Sequence, residues 1–198
     1  MRRKHWYVLT AVVAVAAAGW LVARDDEPGP GPLVNVTDDT YAFPVPAGRP
    51  ITWGVPVLFN EGDEPAVLLD VGPAHSTPGL RVLQVLAAGE DRGNYFVAGT
   101  RRYPLRPADR IRGLRPVRGF VVAPLDTPAG EQGVELVFVL QMDRPGRYEI
   151  DGIRARYRVG DTDHVEDFGF RLAACPGFGD AAYGGDGNDC KLPPARRG

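Results

Sequence analysis

Lysine and serine are almost absent from this sequence of 198 residues. Only Lys4 and Lys191 are lysines, and Ser76 is the single serine. Lys4 precedes an apolar run and Lys191 lies in a proline-rich tail, so neither position suits a phosphate-binding loop or a Schiff-base lysine. Ser76 lacks the flanking glycines of a nucleophile elbow, and we expect it in a turn between two strands. The shortage of lysine excludes two classes of lysine-dependent chemistry.

One long hydrophobic run is present, over residues 6–23. Its 18 residues would form a helix of about 27 Å, close to the thickness of the bilayer core. Basic residues precede the run and acidic residues follow it, which predicts a single-pass signal anchor with residues 1–5 in the cytoplasm and the remainder outside. A cleaved signal peptide is the alternative, since Ala16 and Ala18 offer a cleavage site.

Cysteine is also scarce, and its placement agrees with export. Cys175 and Cys190 are the only two cysteines, and in an exported domain they predict one disulfide. Closing a loop of this length would stabilise the fold by about 3 kcal/mol through loss of entropy in the unfolded chain. A free thiol pair and a metal site are the alternatives, although a metal would need more ligands than the neighbourhood supplies.

Beyond the anchor we expect a Pro/Gly spacer over residues 24–32, one domain over 33–192 and a disordered tail over 193–198. In the domain, short apolar runs alternate with Gly, Pro, Asn and Asp, and no helical period persists. This pattern predicts an all-β sandwich of about 8–9 strands. The predicted strands are Leu33–Thr37, Ile51–Asn60, Ala66–Gly72, Leu80–Ala88, Asn94–Thr100, Val117–Ala123, Val134–Gln141, Arg147–Val159 with a break near Gly152, and Val165–Ala174.

Two-residue alternation indicates which side chains face inward. The segment after Gly152 has one arginine-rich face, formed by Arg154, Arg156 and Arg158, and we expect that face to be exposed to solvent. Residues 160–163 predict a hairpin loop into the last strand. The inward positions are Ile153, Ala155, Tyr157 and Val159 in one strand, Phe168, Phe170 and Leu172 in the next, and Val134, Leu136, Phe138 and Leu140 in an earlier strand, where Glu135 and Gln141 occupy the opposite face.

A local motif points to a family of folds. Residues 145–150, Pro-Gly-Arg-Tyr-Glu-Ile, resemble the tyrosine corner of immunoglobulin-like sandwiches, with Ile150 where antibody domains have a cysteine. Arg144 occupies the place of the usual Asp. The whole chain also resembles short, membrane-anchored proteins of high-GC bacteria that carry one β-sandwich outside the cell. That resemblance implies a location and an immunoglobulin-like fold, but no reaction.

Arginine is concentrated in one segment of the domain. Seven arginines lie between positions 101 and 118, with Asp109 as the only carboxylate among them. Such a segment binds phosphate, anionic headgroups or an acidic partner through bidentate contacts, but it also serves solubility and surface pairing. An extracytoplasmic location and the lack of an aromatic-rich stacking platform near these arginines argue against nucleic acid. The candidate partner-binding residues are Arg101, Arg102, Arg106, Arg110, Arg112, Arg115 and Arg118.

Two acidic clusters are weak candidates for calcium. The first comprises Asp161, Asp163, His164 and Glu166, for which a solvated hairpin facing the arginine stripe is the simpler interpretation. The second lies inside the predicted disulfide loop, at Asp180, Asp186, Asn188 and Asp189. Copper is disfavoured because the sequence has no closely spaced His or Met pair, and we expect no cofactor.

These observations predict a non-enzymatic, membrane-anchored interaction or scaffold module of the cell envelope. Its partners would be the membrane, through the N-terminal helix, and an envelope protein or anionic surface. A small-ligand or calcium-binding domain is the alternative. An enzyme assembled from scattered Asp, Glu, Tyr and His residues is a third hypothesis, since catalytic carboxylates need not be close in sequence.

Overall fold

The computed structural model describes residues 30–36, 40–90, 101–105 and 112–176. All regular structure in these ranges is β, and no helix within them is long and apolar enough to cross a bilayer. The predicted anchor at residues 6–23 lies outside the described residues. The strands, in chain order, are β1 (Leu33–Asn35), β2 (Thr40–Val45), β3 (Ile51–Asn60), β4 (Ala66–Ser76), β5 (Leu80–Ala88), β6 (Arg101–Arg102), β7 (Arg115–Pro116), β8 (Val121–Val122), β9 (Val134–Met142), β10 (Tyr148–Val159) and β11 (Thr162–Pro176).

The strands form two sheets. Sheet A has the order β1-β3-β9-β5-β7, and β6 pairs with β3 on the edge away from β9; sheet B has the order β2-β11-β10-β4-β8. Neighbouring strands are antiparallel except β2 and β11, which are parallel. The apolar core lies between the sheets, where Trp53 of sheet A contacts Phe170 of sheet B with 4.8 Å between ring centroids. The prediction of an all-β sandwich is confirmed.

Most predicted strands are present. The bounds of β3 and β5 match the prediction, and the predicted break near Gly152 is a bulge between Asp151 and Ile153. The predicted hairpin is tighter than expected, because Val159 already pairs with Thr162 and only Gly160 and Asp161 form the turn. Strand β2 was not predicted, since two prolines and a glycine follow closely on its apolar residues. The predicted strand Asn94–Thr100 lies outside the described residues.

The prediction of one strand over Val117–Ala123 is wrong. Strand β7 of sheet A ends at Pro116, just before this region, and within the region only Val121 and Val122 form a strand, β8 of sheet B. A turn separates the two strands, in which the Phe120 amide donates to the Val117 carbonyl at 3.0 Å and Gly119 has φ +79°. Only glycine adopts that backbone conformation without strain, so the apolar run is split at Gly119.

The predicted inward residues of β10 and β11 are buried, except Val159, which is partly buried against the same core. Ile153, Ala155 and Tyr157 have no exposed surface, and Phe168, Phe170 and Leu172 lie in the same core. Arg154, Arg156 and Arg158 are exposed on the opposite face. The period-two pattern therefore predicted the orientation of both strands correctly.

Strand β9 differs from a strand with one face in water, because both of its faces are buried. Leu136, Phe138 and Leu140 point into the core, as predicted, but Glu135, Val137 and Val139 on the opposite face are also 0% exposed. Val137 and Val139 form a second apolar cluster with Leu86, against which Leu114 packs. The outer face of sheet A is thus covered at its centre.

The tyrosine corner is present in the loop between β9 and β10. The buried Tyr148 hydroxyl donates to the carbonyl of Arg144 at 3.3 Å. This contact back to the backbone four residues upstream is the one that the resemblance implied. It fixes the path of the chain as it crosses from sheet A to sheet B.

We predict that Tyr148→Phe lowers the free energy of unfolding by about 0.5–1.5 kcal/mol, because the part-buried hydrogen bond to the Arg144 carbonyl is lost. Chemical denaturation measures the change. Tyr103→Phe is the matched control, since its hydroxyl donates to Gln84 at 3.1 Å on the exposed surface, where water replaces the lost group. Equal losses in the two variants would show that the corner has no special role.

Candidate interaction surface

The arginine segment begins at one edge of sheet A and reaches the opposite edge. Arg101 and Arg102 form β6, which pairs with Thr52 and Ile51 of β3. Arg115 belongs to β7, which pairs with β5 on the far side of the sheet. Arg106 and Arg110 lie outside the described residues.

The described parts of this segment contact the outer face of sheet A. The Tyr103 hydroxyl bonds to the Gln84 side chain, and Leu114 packs against Leu86, Val137 and Val139. Burying these apolar groups stabilises the fold, at about 25 cal/mol per Å² removed from water. The segment that the sequence marks by charge therefore has a structural role as the cover of sheet A.

Residues 112–122, which we call the clip, connect the edges of the two sheets. At its start β7 pairs with Leu86 and Ala87 of β5, and at its end β8 pairs with Ala66 and Val67 of β4. Between them the Val117 amide donates to Val85 at 3.2 Å and the Gly119 amide to Leu68 at 2.7 Å; the Leu68 amide donates to Phe120 at 2.8 Å. The backbone of the clip is fixed to both sheets.

Three exposed arginines of the clip have no carboxylate partner among the described residues. Within the described part of the chain, no Asp or Glu lies at ion-pair distance from Arg112, Arg115 or Arg118. Elsewhere, ion pairs are made by Arg81, Arg147, Arg154, Arg156, Arg158 and Arg171. Arg49 and Arg144 resemble the clip arginines but lie in two other loops, β2–β3 and β9–β10. The clip is therefore a run of uncompensated positive charge.

Arg115 is held in place by an aromatic ring. Its guanidinium carbon lies 4.8 Å from the centroid of the Phe120 ring. A cation over an aromatic face is attracted by the ring quadrupole, and Phe120 is itself buried in the core. The side chain of Arg115 is nevertheless exposed, so its guanidinium group is accessible to an acceptor from outside.

The arginine stripe on sheet B behaves differently, because its charges are compensated within the sheet. Arg154 makes two bonds of 2.7 Å to Asp167, and Asp163 accepts from Arg156 at 2.8 Å and Arg158 at 2.6 Å. These hydrogen bonds, from Arg158 first and then Arg156, lower the pKa of Asp163 to about 2. The interpretation of the acidic hairpin as a partner of the arginine stripe is confirmed.

The four weak calcium candidates do not converge on one point. Asp163 is engaged by two arginines, Asp161 lies in the exposed turn, and the His164 ring stacks on Tyr157 at 5.2 Å between centroids. Glu166 accepts from Tyr157 and from the Gly31 amide. Among the described residues, no group of three or more His, Cys, Asp or Glu side chains is arranged to hold a metal ion. The second candidate cluster, at Asp180, Asp186, Asn188 and Asp189, lies outside the described residues.

Tyr157 and Glu166 form a site that we did not predict, where the N-terminal segment meets the sandwich. The buried Tyr157 hydroxyl donates to Glu166 at 2.8 Å, and the backbone N–H of Leu33 donates to the Tyr157 oxygen. Burial, followed by the bond to Glu166, raises the pKa of Tyr157. Alternation along β11 puts Glu166 on the inward face with Phe168, and a buried tyrosine needs an acceptor; these two signals together indicate the pair.

Residues 31 and 32 are consequently bound to the sandwich, whereas the sequence predicted a free spacer through residue 32. Gly31 donates its amide to Glu166, and the Pro32 carbonyl accepts from Glu61 at 2.9 Å. A Cβ at position 31 would overlap the Tyr157 hydroxyl. The close approach of the backbone to this buried pair requires glycine.

Cys175 is buried, with 2% of its surface exposed. It lies near the end of β11. Cys190 lies outside the described residues, so the disulfide between them stays a prediction.

Comparison with known proteins adds little to these observations. No protein-family model matches the chain, and no curated protein matches it. Among solved structures, the chain is similar to an ASH/PapD-like domain of human CEP192, PapD-like domain 7, with 11% identity over 77% of this chain and 90% of that chain and a TM-score of 0.37. A TM-score of 0.37 is too low to support a shared fold or function. The assignment to the two-sheet β-sandwich class follows from the strand pairing described above.

We predict that Gly31→Ala lowers the free energy of unfolding by about 1–3 kcal/mol, because the new methyl group displaces the segment from Tyr157. Amide exchange at Glu61, which donates to Pro32, is expected to become faster. Gly72→Ala is the matched control: a Cβ at Gly72 meets no atom within 4 Å, and we expect a change below about 0.5 kcal/mol. Similar effects of the two substitutions would contradict a specific docking contact at Gly31.

A second prediction concerns the carboxyl group of Asp163. Its ionised form is favoured in the folded state, so its stabilisation is complete above the ordinary pKa of 3.8 and is lost as the pH falls through about 2. We expect the double variant Arg156→Gln/Arg158→Gln to raise the pKa of Asp163 toward 3.8, measured by NMR titration of the carboxyl carbon. Arg81→Gln, which removes an ion pair on the other sheet, leaves it at about 2. A midpoint that stays low in the double variant would mean that the arginines are not its cause.

Proposed function

We propose that this protein is a non-enzymatic interaction or scaffold module of the cell envelope. In this proposal residues 6–23 anchor the chain in the membrane with the N-terminus in the cytoplasm, and the β-sandwich lies outside. The partner is an envelope protein or an anionic surface, and the clip is the binding element.

The observation that supports the proposal is the combination of free charge and fixed backbone in the clip. Arg112, Arg115 and Arg118 are exposed and pair with no carboxylate in the described part of the chain, while Val117 and Gly119 are hydrogen-bonded to Val85 and Leu68. A rigid support reduces the entropy that is lost when a partner binds. Binding sites are placed preferentially on loops that a rigid scaffold positions.

A role in solubility alone explains the clip less well. Exposed ion pairs are worth about 0–1 kcal/mol each, so the fold does not require them for stability. All four arginines on the outer face of sheet B are nevertheless paired with a carboxylate. The clip instead has three arginines and no carboxylate in eleven residues. A surface whose only role was to keep the protein soluble would carry acidic residues interspersed with the arginines.

The test is site-specific photocrosslinking of the full-length chain in its native membranes. A photoreactive residue replaces Val121, which lies in the clip and is 50% exposed, or Val165, which is 59% exposed on β11 and serves as the matched control. We expect a discrete crosslinked species from position 121 and none from position 165. No product from either position, or the same products from both, would contradict an interaction at the clip.

A further inference from the structure

The surroundings of the clip arginines define the chemistry of a partner more narrowly than positive charge does. We infer that the clip docks an acidic polypeptide segment, one that carries both carboxylates and apolar side chains. The inference rests on the proposed function, because it specifies the partner of the same surface.

Carboxylates suit the way in which Arg115 is presented. Its guanidinium carbon lies 4.8 Å from the centroid of the Phe120 ring, which restrains the side chain. The paired N–H groups of a guanidinium match the two oxygens of a carboxylate. Arg118 lies in the turn closed by the Val117–Phe120 hydrogen bond of 3.0 Å. The guanidinium groups of Arg115 and Arg118, carried on a fixed backbone, would bind successive acidic residues of an extended chain.

Two exposed apolar side chains, one in the clip and one on the neighbouring strand β5, favour a polypeptide partner over a phosphate polymer. Val121, directly after the turn, is 50% exposed, and Leu83 is 47% exposed on β5, two residues before the Val85 carbonyl that accepts from Val117. These side chains offer contacts that only a partner with apolar groups can fill. A phosphate polymer would leave both of them in water.

The charge at the N-terminal end of the sandwich argues against the bilayer surface as the partner. The chain meets the sandwich at Pro32, which accepts from Glu61, and the same end carries the exposed Asp63, Glu64 and Asp161. Glu64 lies beside the turn at Gly160. An anionic bilayer approaching from the anchored end would meet these carboxylates first and be repelled.

The experiment measures binding of a fluorescent eight-residue peptide, with four glutamates and two leucines, to the full-length protein in detergent micelles. The clip variant is Arg115→Gln/Arg118→Gln. Its matched control is Arg49→Gln/Arg144→Gln, which removes the same charge from exposed arginines that also lack a carboxylate partner. Arg118→Gln alone, which leaves the Phe120 contact intact, covers the case in which the double variant does not fold.

We expect the Kd measured by anisotropy to rise at least about fivefold in the clip variant and less than about twofold in the control. A peptide with Gln in place of Glu is expected not to bind. Equal losses in both variants would show attraction to net charge and overturn the inference, as would the absence of binding to the acidic peptide. Tighter binding of inorganic polyphosphate, or of phosphatidylglycerol vesicles, at the same arginines would also overturn it, because the partner class would then be wrong.

If photocrosslinking at position 121 succeeds while the peptide does not bind, the proposed function stands and the assigned partner chemistry is wrong. If both fail, the interaction role itself is contradicted.

Discussion

Burial of both faces of β9 is the constraint on which the rest of the structure depends. An antiparallel sheet needs only one dry face, yet Val137 and Val139 of β9 are as buried as Leu136 and Phe138. The inner face is covered by sheet B. The outer face needs another cover, and the described parts of the arginine-rich segment provide it through Leu114 and Tyr103. The described residues at both ends of this segment are therefore held against sheet A.

The clip follows from this arrangement. From the β5 edge of sheet A, the chain joins the β4 edge of sheet B through β7, the turn and β8. It pairs with parts of two edge strands that would otherwise expose unpaired backbone groups. Its arginines then project from a backbone tied to both sheets. Structural and binding roles are thus divided within one basic segment: apolar residues and backbone cover the sheet, and Arg112, Arg115 and Arg118 face outward.

The sequence predicted the fold class and the faces of the strands, because a period of two is a local property of the chain. It placed Tyr157 inward and Arg156 outward correctly. It did not predict the split at Gly119, since membership of different sheets depends on tertiary pairing. Nor did it predict the burial of Val137 and Val139, against which Leu114, distant in sequence, packs. For the candidate site, the count of charged residues in the sequence identified the arginine cluster. Only the folded structure shows which arginines are paired with a carboxylate and which are not.

The central claim is that the clip is a fixed platform and not a mobile loop. Hydrogen–deuterium exchange of the full-length chain tests it at the amides of Val117, Gly119 and Phe120, each of which donates to a backbone carbonyl. We predict exchange at least about 100-fold slower than at the exposed Asp63 amide, and comparable with the β3–β9 ladder. Exchange as fast as at Asp63 would contradict the claim, because the clip arginines would then have no rigid support.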